Sequence, residues 1–296
     1  FPFIFAELDL LIPTLKNHGV MQIETSRGCS FSCSFCPRDH KGIWYSPELN
    51  DFAQFLKDVR NAFDGYGYVP RKLFIVDEEF FGYEEDTETR VLDVATQINQ
   101  AGFSFEISAR LDQVYRSCKS IDWHARRLNV WMRLVTLGLE RCLFGVESGV
   151  NSILDRFQKK LTTNQINLAI RILSLASVPI RLTYITFDPL MNMEELIQTY
   201  KFQYRTDLLL SSTKNKDAYS ILNLAINEEN NKKNANETPL FETFPYLLVS
   251  LECLLGSDYY KESLKNGLNG PLNLFLGKMD SSYVDSRIGV LSKCAQ

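Results

Sequence analysis

The sequence predicts an α/β fold of parallel βα units, followed by a small, mostly helical C-terminal extension. Three observations carry this. Short runs rich in β-branched and aromatic residues recur along the first two thirds of the chain. Stretches with apolar residues at helical spacing stand between them, and polar residues gather where the strand-like runs end.

The first strand is expected over Val20–Thr25, followed by a cysteine-bearing loop and a helix over 47–63, where Phe52, Phe55, Leu56, Val59 and Phe63 recur at helical spacing. The second strand is Lys72–Val76, and its helix, over 87–101, stops before Gly102. The third is Phe103–Ser108, with a helix over 122–137 ending at Gly138. The fourth is Arg141–Val146, with helical stretches running to Ser177, and the fifth is Ile180–Phe187, with a helix over 193–204. A short sixth strand is expected at Asp207–Ser211. Six units fall short of the eight of a closed barrel. Beyond them, 227–237 is Asn-rich and polar, as a linker or exposed loop is. The apolar run Phe244–Leu255 is expected to be a buried helix.

The bulk numbers narrow the function classes. At 296 residues, 45% hydrophobic and 23% charged, the chain has the make-up of a globular enzyme. A net charge of −4 gives no electrostatic ground for a nucleic-acid or membrane partner. No apolar run reaches the length of a membrane span, and Glu7 and Asp9 break the apolar start, so no signal peptide is expected. Seven cysteines, an odd number, do not suggest a secreted disulfide framework, and a reduced cytoplasm is expected. The chain lacks an initiating Met and starts in mid-pattern, as a fragment of a longer protein would.

Three of the cysteines stand together, in Arg27-Gly28-Cys29-Ser30-Phe31-Ser32-Cys33-Ser34-Phe35-Cys36-Pro37. Three thiolates on one short loop can hold three corners of a cubane iron–sulfur cluster, whose full protein set would be four, and leave one iron open. A zinc site or plain packing of thiols are the alternatives. Zinc would want a second ligand pair, yet Cys118, Cys142, Cys253 and Cys294 are isolated. Packing would want an apolar periodicity that this loop lacks.

The motif resembles the Cys-x3-Cys-x-aromatic-Cys signature of the radical S-adenosylmethionine (SAM) superfamily, with Phe35 in the aromatic slot. Further matches extend over about residues 12–205. They are Phe74-Ile75-Val76-Asp77-Glu78-Glu79-Phe80, Glu106-x3-Arg110, Leu139-x5-Gly145-Val146-Glu147-Ser148-Gly149 and Lys160-Leu161-Thr162-Thr163. These resemble the cobalamin-dependent (B12-dependent) group, usually fused to a cobalamin-binding domain, and its methylthiotransferase relatives. The resemblance implies a partial (β/α)6 TIM-like barrel over 20–212. Residues 1–19 then form a lead-in of the kind that links an upstream domain, and 213–296 the C-terminal extension.

It also implies a [4Fe–4S] cluster on Cys29, Cys33 and Cys36, with SAM chelating the open iron. Reductive cleavage of SAM would give a 5′-deoxyadenosyl radical that abstracts a substrate hydrogen, for cobalamin-dependent C-methylation or a related biosynthetic rearrangement. A flavodoxin- or ferredoxin-type reductant and a small-molecule or peptide substrate are the expected partners. Neither His18 nor His40 sits in an Asp-x-His-x-x-Gly context, so no motif supports cobalamin within this chain. The alternatives are a non-enzymatic iron–sulfur electron-transfer or binding protein, and a methylthiotransferase-like RNA or protein modifier. The scattered remaining cysteines speak against the latter.

Ligand sites of parallel βα barrels collect at the C-terminal strand ends. By resemblance, Phe35 lies against the cofactors, Asp77 or Glu78 meets the methionyl ammonium of SAM, Arg110 meets its carboxylate, and Ser108 and Glu147 help with ribose or carboxylate. Glu106 alternates with Ser108 and Arg110 and so shares their face. Acids at strand ends can also simply cap the next helix. One departure is Phe187-Asp188-Pro189 after the fifth strand, where the group often has Gly-x-Pro. No catalytic acid or base is assigned.

Overall fold

A computed structural model of the chain describes residues 7–38, 41–46, 48, 50–67, 71–83, 87–213, 216–227 and 235–295. His40 and most of the Asn-rich stretch lie outside them. After α1 (Leu11–Lys16) come β1 (Met21–Ile23) and a small antiparallel hairpin, β2 (Arg27–Cys29) with β3 (Ile43–Tyr45). The βα units follow: α2 (Phe52–Tyr66), β4 (Lys72–Ile75), α3 (Thr87–Gln100), β5 (Ser104–Arg110), α4 (Ile121–Thr136), β6 (Leu139–Glu147), α5 (Asn151–Arg156), α6 (Thr163–Leu175), β7 (Ile180–Tyr184) and α7 (Met193–Gln203). The strands form one parallel five-stranded sheet in the order β1-β4-β5-β6-β7, so sequence neighbours are sheet neighbours, as successive βα units dictate. All the strands therefore end on one side.

The helices form for local reasons. Helix α2 buries Phe52, Phe55, Leu56, Val59 and Phe63 on one stripe and stops at Gly67, whose φ of 70° suits glycine. In α6, Thr162 and Gln165 cap each other's backbone, and Asn192 and Glu195 do the same for α7. These helices and the sheet share the main core, where Leu73, Ile75, Phe105, Ile107, Phe144 and Leu182 are sealed from solvent.

Two expected elements are corrected. Asp207–Ser211 forms no strand. Leu208, Leu209 and Leu210 are buried, but the N–H of Leu210 donates to Ser174 Oγ and its carbonyl accepts from the same hydroxyl, both at 2.7 Å. A side chain takes the place of a ladder partner, and Leu210 makes an isolated bridge to Ala235. The run Phe244–Leu255 is not a helix. Its backbone groups instead bond to the chain after β7, beside which the segment runs extended. Thr186 and Phe187 donate to the Val249 carbonyl at 2.9 and 3.0 Å, and Leu251 donates to the Phe187 carbonyl at 2.8 Å.

The extension is mixed rather than mostly helical. It holds α8 (Ala218–Ile226), α9 (Asp258–Lys265) and α10 (Ser286–Ala295), with a three-stranded antiparallel sheet of β8 (Cys253–Leu254), β9 (Leu272–Asn273) and β10 (Lys278–Met279). A second apolar cluster joins it to the body, with Leu251, Tyr259, Met279 and Ile288 packed against Val150, Phe157, Phe187 and Met191. Among the described residues, no helix is long and apolar enough to cross a membrane.

Candidate active site

The cysteine loop leaves β1 and sits where the sheet strands end. Gly28, at φ 85°, is the middle residue of β2, paired with Trp44. The loop is then held from three directions. Gly42 N–H donates to the Cys29 carbonyl at 2.9 Å, Ser34 N–H donates to the Phe157 carbonyl at 2.9 Å, and Tyr259 N–H of α9 donates to the Ser34 carbonyl at 2.8 Å. Phe35 lies edge-on to Phe157, with ring centroids 5.4 Å apart. Cys29, Cys33 and Cys36 are all half-buried free thiols. Burial above all pushes the Cys29 thiol up to about 11, so a metal bound there must displace a proton.

Among the described residues no three His, Cys, Asp or Glu side chains converge as ligands of one metal ion. The three thiols are thus not arranged as a single-ion site, whereas a cubane takes each thiolate on a separate iron. Soft thiol donors on one short loop, half-open to the strand ends, fit such a cluster.

The acids after β4 have three different fates. Asp77 is buried and accepts from Thr25 N–H (2.6 Å), Thr25 Oγ1 (2.6 Å) and Ser26 Oγ (2.7 Å), with Arg90 at 3.5 Å. Burial raises its pKa against the pull of these hydrogen bonds. Its oxygens tie β4 to the start of the cysteine loop. Glu78 forms an ion pair with Arg38, two residues beyond Cys36. Glu79 is fully buried; its Oε1 accepts from Phe81 N–H at 3.3 Å, and its Oε2 has no hydrogen-bond partner among the described residues. Burial, and then the nearby Asp112 charge, push its carboxyl up to about 8.

Arg110, at the end of β5, is 6% exposed and held on every edge. It meets Asp112 through Nε (3.1 Å) and Nη2 (3.3 Å), and Nη2 also donates to the Lys159 carbonyl at 2.6 Å. Nη1 donates to Cys33 Sγ at 3.5 Å, and the guanidinium lies 3.6 Å over the Phe31 ring. Ser108, half-buried, is two residues earlier on the same face. Glu106 shares that face but lies in the N-terminal half of the sheet, paired to Lys72 at 3.0 Å and to Arg141.

Glu147 closes β6 at a register shift, with φ 64°. Its carboxylate meets Lys159 Nζ at 3.2 Å and Thr183 Oγ1 at 3.0 Å. A Cβ on Gly145 would lie 2.6 Å from Glu147 Oε1 and 2.8 Å from Lys159 Nζ, so a larger residue there would displace the ends of these two side chains. Arg110, Gly145 and Thr183 pair in one row across the sheet. The structure thus brings Cys33, Arg110, Lys159 and Glu147 together through direct contacts. Lys159 and Asp112 were not singled out by sequence reasoning. Glu79 had a signal in its place beside Asp77 and Glu78, while Lys159 reaches the site only because the chain turns back through left-handed residues at 158 and 160.

Asp188, the departure after β7, is buried and bonded to Arg156 Nε at 2.8 Å, Leu190 N–H at 3.0 Å and the Tyr259 hydroxyl. It braces the extension rather than facing the strand ends with a free oxygen.

No family model matches the chain. It is 32% identical to the 4′-phospho-dehydrooxetanocin synthase of Priestia megaterium over 98% of its own length and 41% of the relative's. The structure of the cobalamin-dependent SAM radical enzyme OxsB with aqua-cobalamin and SAM bound superposes with a TM-score of 0.88 at 28% identity, over 97% of this chain and 42% of that one. The apo, selenomethionine-labelled OxsB superposes with 0.83 at 28% identity, over 93% and 40%. The chain therefore spans about two fifths of the length of the relatives it matches. With the cysteine loop and the parallel sheet, these likenesses place it in the radical SAM superfamily. Within it, the chain resembles the cobalamin-dependent group.

Proposed function

We propose that this chain is the radical-generating part of a radical SAM enzyme, with Cys29, Cys33 and Cys36 holding a [4Fe–4S] cluster and one iron left for SAM. When bound and reduced, that pair supplies a 5′-deoxyadenosyl radical able to take a hydrogen atom from a substrate carbon. The observation that carries the reading is the half-buried cysteine loop at the strand ends, with Arg110 bonded to Cys33.

The chain's own residues divide the remaining work. Asp77 fixes the start of the loop through Thr25 and Ser26. Glu78, held by its ion pair with Arg38, is the acceptor offered to an ammonium group. The buried Lys159 ammonium, alongside Arg110, is the cation offered to a carboxylate, while Glu147 and Ser108 offer polar contacts to ribose. Phe35, backed by Phe157, walls the loop.

The sheet is read as the main part of an open six-unit barrel over 20–212, its edge beyond β7 covered by 249–251 of the extension over 213–296. The relative's name points to a phosphorylated small molecule as substrate, and the aqua-cobalamin bound in OxsB supports cobalamin as a further cofactor. A flavodoxin- or ferredoxin-type donor is the proposed reductant. The seven free thiols suit a reducing cytoplasm.

The test is anaerobic reconstitution with iron and sulfide, followed by reduction in the presence of SAM. The reading expects 5′-deoxyadenosine and a cluster EPR signal that SAM alters. An intact cluster with an unaltered signal and no 5′-deoxyadenosine overturns it.

A further inference from the structure

The guanidinium of Arg110 is more constrained than a carboxylate-binding arginine needs to be. Nε and Nη2 are committed to Asp112 and to the Lys159 carbonyl, and the flat face rests on Phe31, which lies between Cys29 and Cys33 in the same loop. What these contacts leave to point elsewhere is Nη1, and it points at Cys33 Sγ. The loop thus packs on the cation and hands it a sulfur. Arginine cannot lose its proton at this site, so the N–H donor is permanent.

Hydrogen bonds to ligating sulfurs, together with net charge and solvent exposure, set the potential of an iron–sulfur cluster. A donor aimed at a thiolate draws electron density from it and favours the more negative, reduced state. From this geometry we infer that Arg110 is a potential-setting residue: its Nη1–H···Sγ bond to Cys33 stabilises the one-electron-reduced form of the cluster. Asp112 and the Lys159 carbonyl act through Arg110 by fixing its orientation. The electron comes from the same external one-electron donor that the proposed reaction requires. The inference rests on Cys33 being a cluster ligand.

The experiment is an EPR-monitored redox titration of the reconstituted chain, with iron and sulfide counted for each variant. Arg110→Gln keeps a hydrogen-bonding group but loses the cation and the fork. Its midpoint potential is expected to fall by at least a tenfold change in the reduction equilibrium, about 59 mV for one electron. Arg110→Lys keeps the charge without the planar fork, and a smaller fall in the same direction is expected. If Arg110→Gln does not load a cluster, Arg110→Lys decides. A loaded variant whose midpoint equals that of the unmodified chain overturns the inference. An unmodified chain that holds no [4Fe–4S] cluster, or one whose EPR signal SAM leaves unchanged, overturns the functional reading instead.

Discussion

Two regions pack on the cysteine loop and carry buried charge differently. Beside β4 and β5, Glu79, Asp112 and Arg110 crowd together, and Glu79 keeps an oxygen without a partner among the described residues and a carboxyl pushed up to about 8. Beside β7 and the extension, Asp188 meets Arg156 and the Tyr259 hydroxyl, and Arg156 Nη2 goes on to Glu195 at 2.9 Å. Burial, with Asp188 beside it, pushes the Tyr259 phenol up, so it stays a donor. In the second region each charge has an opposite and each oxygen a donor, which makes a brace. The first region retains unmet hydrogen-bonding capacity, which costs stability in the absence of a ligand.

The contrast can be broken in stages. The largest effect is expected from replacing Cys29, Cys33 and Cys36 together by Ala. Iron binding and the cluster's visible absorbance should vanish while far-UV circular dichroism, which reports the secondary structure of the whole chain, holds; retained stoichiometric iron would break the comparison at its root.

Next comes Glu79→Gln, which isolates the unmet side. The folded pKa of Glu79 lies above its ordinary 4.5, so the native state holds the extra proton. Stability from this group is whole below about pH 4.5 and is lost as pH rises toward about 8, on the order of 5 kcal/mol in all. In melting curves of the metal-free protein across that window, the variant should lose the downward slope. An unchanged slope would show that another group causes it.

Asp188→Ala attacks the brace. It leaves Arg156 and Tyr259 without their buried partner, and a loss of about 3 kcal/mol is expected in denaturant unfolding. A loss as small as a surface ion pair gives, under about 1 kcal/mol, would mean that the network is not a brace. The smallest change is Tyr259→Phe, which keeps the ring against Phe157 and removes the hydroxyl's bonds to Asp188 and to Leu190 N–H, at about 1–2 kcal/mol. Its reconstituted cluster should keep the iron content of the unmodified chain, because the loop contact is made by the Tyr259 backbone.

Particular residues show why some of this was legible beforehand. Strands around Leu73, Phe105, Phe144 and Leu182 announce themselves because a buried parallel strand must be apolar on both faces, and all four lie in the core. The helix at 193–203 is readable from Asn192 and Glu195, which cap it locally. The segments at 207–211 and 244–255 misled for one shared reason. Their apolar character is real, but whether it is spent as strand, helix or irregular chain is decided by remote partners, Ser174 in one case and Phe187 in the other. The same holds for Asp77, whose proximity to Thr25 and Ser26 comes from the pairing of β1 with β4.

By itself, the sequence determined the cysteine triplet and the alternation of βα units, because ligand spacing and side-chain periodicity are properties of neighbouring residues. Only the tertiary structure decided which charge faces which thiol. Arg110 reaches Cys33 across 77 positions, Tyr259 reaches Asp188 across 71, and Lys159 reaches Glu147 only after a left-handed turn. Contacts of that range depend on how the whole sheet registers and where its helices pack, and no local pattern encodes them.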